Sequence, residues 1–103
     1  MSFAREIEVS ELADRQIREA DSWWRKNRQR APNAIREELE KIRDVIAFQP
    51  HIGERARNVK LPGVRRLHLQ RIHYHIYYRV IGEPERVEIV AFWNVRRGSG
   101  PPI

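Results

Sequence analysis

Hydrophobic positions along this chain recur first with a period of two, then with a helical period, then with a period of two again. From Phe3 to Val9 the residues alternate, with Phe3, Arg5, Ile7 and Val9 on one side and Ala4, Glu6 and Glu8 on the other. That pattern predicts a short strand. Ser10 follows as an N-cap, because its hydroxyl can accept a hydrogen bond from a free amide of a first helical turn. From Glu11 to about Arg30 the period is helical: Ala13, Ile17, Ala20 and Trp24 stand at i, i+4, i+7 and i+11, and Leu12 and Trp23 widen the stripe. Trp23 and Trp24 are adjacent, so at most one points straight into a core. Glu11/Arg15, Asp14/Arg18 and Asp21/Arg25 are i,i+4 pairs in the favourable acid-first order. Pro32 falls at the tolerated first-turn position of a second helix. Ile35, Leu39, Ile42 and Ile46 repeat the same spacing there, and Phe48 and Pro50 close it.

A loop from Gln49 to Gly63 is punctuated by Pro50, Gly53, Pro62 and Gly63. Three strands follow, over Val64–Gln70, Ile72–Ile81 and Arg86–Val95, with Gly82-Glu83-Pro84-Glu85 as the turn between the last two. The order is βααβββ. It predicts an α+β domain in which a helical hairpin packs on one face of a small, mainly antiparallel sheet. The domain is expected to span residues 1–97, with 98–103 (GSGPPI) as a flexible tail without regular structure.

Alternation sorts the strand residues into two faces. Leu67 and Leu69 oppose Arg66, His68 and Gln70. Ile72, Tyr74, Ile76, Tyr78 and Val80 oppose His73, His75, Tyr77 and Arg79. Val87, Ile89, Ala91, Trp93 and Val95 oppose Glu88, Val90, Phe92, Asn94 and Arg96. With the apolar sets under the helices, Arg66, His68, His73, His75, Tyr77, Arg79, Asn94 and Arg96 converge on the open face. A register shift of one residue would flip a strand's whole set.

Charge sharpens this picture. Residues 1–52 hold 10 Lys/Arg and 10 Asp/Glu, whereas residues 53–103 hold 10 Lys/Arg and 4 Asp/Glu, so the entire net charge of +6 lies in the second half. The stretch from Val64 to Val80 contains four Arg, three His and three Tyr, and no acid. Such a surface suits a polyanion or an acidic partner. Of the 20 basic residues 17 are Arg; the planar Arg fork matches phosphate and carboxylate, although GC-rich coding also enriches Arg. With no Cys, disulfides and thiolate metal sites are excluded. No apolar run approaches the roughly 20 residues that span a bilayer. MSFAREIEV lacks a signal-peptide core, so the expected location is the cytoplasm.

Three readings of the open face compete. His titrates near neutral pH and can move a proton while Arg steadies a phosphate, which is the equipment for acid/base chemistry on RNA. Aromatics and Arg also anchor protein docking surfaces. Polar residues on the solvent face of an antiparallel sheet are, finally, expected without any function. His73 and His75 alone do not make a zinc site, which takes about three or four ligands; only His68 could be a third, and no metal or cofactor is expected. A helix-turn-helix DNA reader fits poorly, because the helices are the neutral part of the chain.

The chain resembles the RelE/ParE superfamily of bacterial toxins from type II toxin–antitoxin systems. The carriers are Phe48-Gln-Pro-His-Ile-Gly53 after the second helix, Leu61-Pro-Gly-Val-Arg65 leading into a strand, His73-Tyr-His-Ile-Tyr-Tyr-Arg-Val80, and Val87-Glu-Ile-Val-Ala-Phe-Trp-Asn-Val-Arg-Arg97. The resemblance covers nearly the whole chain and implies a small cytoplasmic toxin neutralised by a more acidic antitoxin, in an assembly that is often a toxin–antitoxin heterotetramer.

The superfamily divides by target. Resemblance to the RelE-like branch, which cuts mRNA in the ribosomal decoding site without a metal, implies catalytic roles for His75, His68, Arg66 and Arg96. The tail departs from that branch, since Gly98 to Ile103 contains no Tyr, His or Lys. The ParE-like branch poisons DNA gyrase and needs no nuclease chemistry. The Pro-His-Ile-Gly loop, the regular helical hairpin and the Trp93…Arg96-Arg97 ending resemble it more closely. That makes a gyrase-directed toxin the leading expectation, with Arg65, His73, Tyr77, Arg79, Trp93, Asn94 and Arg97 as residues binding target or antitoxin. A ribosome-dependent nuclease is the alternative. An inactive toxin retained as an antitoxin-binding partner is a third. Fold membership does not choose among them.

Overall fold

The computed structural model describes residues 3–103, so residues 1–2 of the expected domain lie outside the described part. Its elements are β1 (Ile7–Val9), α1 (Glu11–Asn27), α2 (Ala34–Phe48), β2 (Glu54–Arg55), β3 (Arg65–Leu69), β4 (Tyr74–Ile81) and β5 (Arg86–Asn94). The five strands form one sheet in the order β1-β5-β4-β3-β2. β1 runs parallel to β5 and the other neighbours are antiparallel. The α+β architecture is the one the alternating periods predict.

Both helices form where their stripes place them. Ser10 caps α1, its Oγ accepting from the Ala13 amide at 3.1 Å. Ala13, Ile17, Ala20 and Trp24 of α1 meet Ile35, Leu39, Ile42 and Ile46 of α2 in one core over the sheet. Trp24 packs against that core and donates from Nε1 to the Ala31 carbonyl at 2.9 Å. Trp23 points outward, 47% exposed, under the Arg28 guanidinium at 4.9 Å. Asp21 joins the helices by accepting from Arg25 at 3.1 Å and forming an ion pair with Arg36 at 3.4 Å. Pro32 precedes the second helix rather than sitting inside its first turn. Asn33 is the N-cap residue, and its Oδ1 is taken by Arg25 Nη2 at 3.3 Å, which leaves no side-chain cap.

The strands differ from the sequence expectation in four places. β1 begins only at Ile7, because the Arg5 amide turns to the Ala47 carbonyl at the end of α2. Glu54 and Arg55, expected in a loop, form a short edge strand. β4 begins at Tyr74, because His73 adopts a left-handed φ of 61° and belongs to the turn after β3. The largest change is a bulge on β5. Tyr77 pairs with Ala91 but Tyr78 pairs with Ile89, so Val90 is an extra residue. An extra residue inverts the alternation beyond it. Val87 and Ile89 lie under the helices as expected, but beyond the bulge it is Phe92, not Ala91 or Trp93, that enters the helix-side core.

The face opposite the helices is therefore not fully open. Val64, Tyr77, Val90 and Ala91 form a second small core, flanked by Ala56, Val59, Leu61, Trp93 and Ile103. Residues 98–103 take no regular structure, but they are tied down. Lys60 N–H donates to the Ile103 carbonyl at 2.8 Å, Trp93 Nε1 donates to the Ser99 carbonyl at 2.7 Å, and Pro101 is buried.

Candidate functional site

The exposed part of this second face is organised by β3 and β4. His68 and His75 are direct cross-strand partners. Their rings meet edge-on with centroids 5.2 Å apart, and the His75 ring lies 6.0 Å from that of Tyr77. Two residues earlier on β3, on the same face, Arg66 pairs with Tyr77 on one side and Glu54 on the other. Arg66 Nε donates to Glu54 Oε1 at 2.8 Å. That bond and the cationic charge hold the Glu54 carboxyl below the usual carboxylate range. Glu54, and then the Tyr77 hydroxyl, raise Arg66 above its ordinary value.

His75 is half-buried, and desolvation is the main reason its pKa is lowered; the nearby Arg66 and His68 add to the effect, while Glu54 opposes it. Burial and like charge both disfavour the imidazolium. The ring is therefore neutral at physiological pH and equipped to accept a proton. Among the described residues no group of three His, Cys, Asp or Glu stands close enough to hold a metal ion.

The remaining sequence candidates distribute unevenly. Arg79 shares this face but is closed in an ion pair with Glu88, Nε to Oε1 at 2.8 Å. Tyr77 is 1% exposed and its hydroxyl accepts from Asn58 Nδ2 at 3.0 Å, so it supports the second core instead of offering a surface. Arg65 lies on the helix side, opposite Tyr78, and donates to the Gly53 and His51 carbonyls at 2.7 and 3.3 Å. His73 is exposed in the β3–β4 turn, apart from His68 and His75.

The bulge moves two further candidates. Trp93 lies beside His75 on the site face, with the Arg97 guanidinium 4.1 Å over its ring. Asn94, expected on the open face, pairs with Tyr74 on the helix side; its Oδ1 accepts from the Arg96 amide at 2.9 Å and caps the chain's exit from β5. Arg96 is exposed beyond the strand end.

Glu54 escaped the sequence reading because two residues are too few to show a strand period. Its one signal was an acid immediately before an acid-free stretch that runs from Arg55 to Gly82. The pairing also relocates the free charge. Arg66 and Arg79 are neutralised on the sheet face, Arg71 binds Glu37 and Glu38, and Arg86 binds Glu8. Arg55, Arg57 and Lys60, on the hairpin that covers the second core, are left exposed.

Comparison with known families and structures agrees with this arrangement. Residues 7–98 match the family described as the ParE toxin of the type II toxin–antitoxin system parDE. The fold is similar to a structure of the chromosomal ParDE system from P. aeruginosa, with a TM-score of 0.69 at 18% identity, over 90% of this chain and 98% of that one. It is also similar to the intact E. coli RelBE toxin–antitoxin complex, with a TM-score of 0.67 at 20% identity, over 91% of this chain and 100% of that one. At these identities the likeness establishes the fold. No curated protein matches the chain.

Proposed function

This chain belongs to the ParE toxin family of type II toxin–antitoxin systems, and from that premise we propose that it arrests bacterial growth in the cytoplasm by poisoning DNA gyrase. The supporting observation is the state of the sheet-face cations. A nuclease acting without a metal needs a free guanidinium or ammonium to stabilise charge developing on phosphate. Of the three arginines that would fill that role, Arg66 and Arg79 are each bound to a carboxylate at 2.8 Å, and Arg96 lies beyond the end of β5, off the sheet face. The aromatic hydroxyl nearest to them, that of Tyr77, is engaged by Asn58. The face is built for packing and docking more than for phosphoryl chemistry.

A cognate acidic antitoxin is the partner that fits the net charge of +6, and the two structural neighbours named above are toxin–antitoxin systems. A toxin–antitoxin heterotetramer is the assembly we propose with it.

One observation favours a second reading, a ribosome-dependent mRNA endonuclease. The His68–His75 pair presents a neutral imidazole beside Arg66, and an induced opening of the Glu54–Arg66 bond would free the cation. Inducing the chain without an antitoxin separates the two. The gyrase reading predicts trapped gyrase–DNA breaks, DNA-damage signalling and intact messages. New mRNA 5′ ends within codons of translated messages, lost in His75→Ala, would overturn it in favour of the nuclease.

A further inference from the structure

Besides Arg96 and Arg97 at the end of β5, the second-half cations without a carboxylate partner among the described residues gather on one hairpin that neither core explains. The hairpin between β2 and β3 encloses a cleft of about 520 Å³ whose charged lining consists of Arg55, Arg57, Lys60 and Arg65, with no carboxylate. Arg55 and Arg65 are direct cross-strand partners. Like charges placed directly opposite on a sheet repel, and here no acid intervenes. Glu54, the adjacent carboxylate, lies on the other face of β2 in the grip of Arg66. Arg65 is held in position by the Gly53 and His51 carbonyls, so it cannot turn away to relieve the repulsion. The hairpin is held too: Ala56 N–H donates to Val64 O at 2.9 Å, and Lys60 N–H donates to the terminal Ile103 at 2.8 Å. The cations are thus presented on an anchored loop, with the chain-end carboxylate of Ile103 beside Lys60 and Arg57 as the negative group closest to that side of the hairpin.

We propose that this hairpin is an anion site for the phosphate backbone of duplex DNA, and that it grips the DNA segment held by gyrase. The inference rests on the gyrase reading for its biological setting. Arginine forks and a lysine ammonium along one loop match successive phosphates. A target that itself holds DNA brings that polyanion to the toxin.

The test is fluorescence anisotropy of a labelled duplex with the purified chain over a range of salt, together with a gyrase cleavage-complex assay. The variant is Arg55→Gln/Arg57→Gln/Lys60→Gln, all three at exposed side chains. The control is Arg15→Gln/Lys26→Gln/Arg43→Gln on the helices, which removes the same charge. Near-UV circular dichroism checks that both are folded. With a slope of about −0.9 per phosphate contact, three lost contacts reduce the salt slope by about 2.7 and affinity by up to about 500-fold at 0.1 M salt.

A loss well above tenfold in the hairpin variant, with the control within threefold of wild type, supports the site. Equal losses in both variants overturn it, since charge alone then suffices. Failure of the wild type to bind duplex also overturns it, as does a glutamate-rich peptide that binds in a hairpin-dependent way where DNA does not. If the hairpin variant loses duplex binding as expected but wild type traps no gyrase cleavage complex, the site stands and the gyrase reading falls.

Discussion

Tyr78→Phe tests how the site is held together, because one hydroxyl links the sheet interior to the turn that delivers Glu54. Tyr78 is 0% exposed, and Gly53 N–H donates to its Oη at 2.9 Å. Gly53 is itself buried, and a Cβ built there would stand 2.7 Å from the Tyr78 hydroxyl; turn and ring are in full contact. Removing the hydroxyl leaves a buried amide with no acceptor and no route to water. Leaving such a donor unsatisfied costs about 1–3 kcal/mol. For a domain of this size, a loss of about 1 kcal/mol lowers Tm by about 4–8 °C. Tyr77→Phe is the internal comparison. Its partner Asn58 is exposed and can bond to water instead, so the loss is that of an ordinary hydrogen bond, about 0.5–1.5 kcal/mol. Urea unfolding with equal m-values would report both numbers. A Tyr78→Phe variant no less stable than Tyr77→Phe would refute the account of Gly53 and Tyr78 as the clasp holding β2. The clasp also makes a local prediction: Tyr78→Phe should loosen the Glu54–Arg66 pair and so move the His75 titration, seen by NMR.

His75 is held below the ordinary imidazole range in the folded state, so the unfolded chain takes up its proton first as the pH falls. The stability from the neutral ring is complete above the unfolded value of about 6.5 and is lost as the pH drops from there toward the folded value; His75→Gln should flatten unfolding curves between pH 7 and 5, and an unchanged slope would refute this. Glu54→Gln removes the acid that opposes the shift and leaves Arg66 unpaired, so the His75 pKa should fall further, while Arg66→Gln should raise it; NMR titration giving the reverse order would contradict the electrostatics. Ending the chain after Arg97 uncovers the second core and frees Trp93 Nε1. Ile103 is only partly buried, so the loss should be about 1–2 kcal/mol, with red-shifted Trp emission; unchanged stability would mean that the tail contributes nothing to the fold.

Much of this protein was legible in the chain because its signals are local. The stripe Ala13, Ile17, Ala20, Trp24 and its counterpart Ile35, Leu39, Ile42, Ile46 each need only one helical period, and Ser10 caps through its own third neighbour. That His68 and His75 share a face followed from the alternation of their strands; their direct pairing depends on His73 leaving the strand for the turn. The family resemblance also lay in contiguous motifs, and the match over residues 7–98 covers the same span.

What the sequence by itself determined is therefore the two helices and four of the five strands, the amphipathic faces outside the end of β5, and the asymmetry of charge between the two halves, since each depends on residues close in the chain. Tertiary structure alone decided three matters that set the site. The bulge at Val90 sent Trp93 to the site face and Asn94 to the helix side, because one extra residue inverts every side chain beyond it. The two-residue strand at Glu54 neutralised Arg66 across a gap of twelve positions, a pairing no local period encodes. The hairpin and tail covered Tyr77 and left Arg55, Arg57 and Lys60 exposed. In each case the deciding partner is distant in sequence, and only closing the sheet brings it within hydrogen-bonding or Coulombic range.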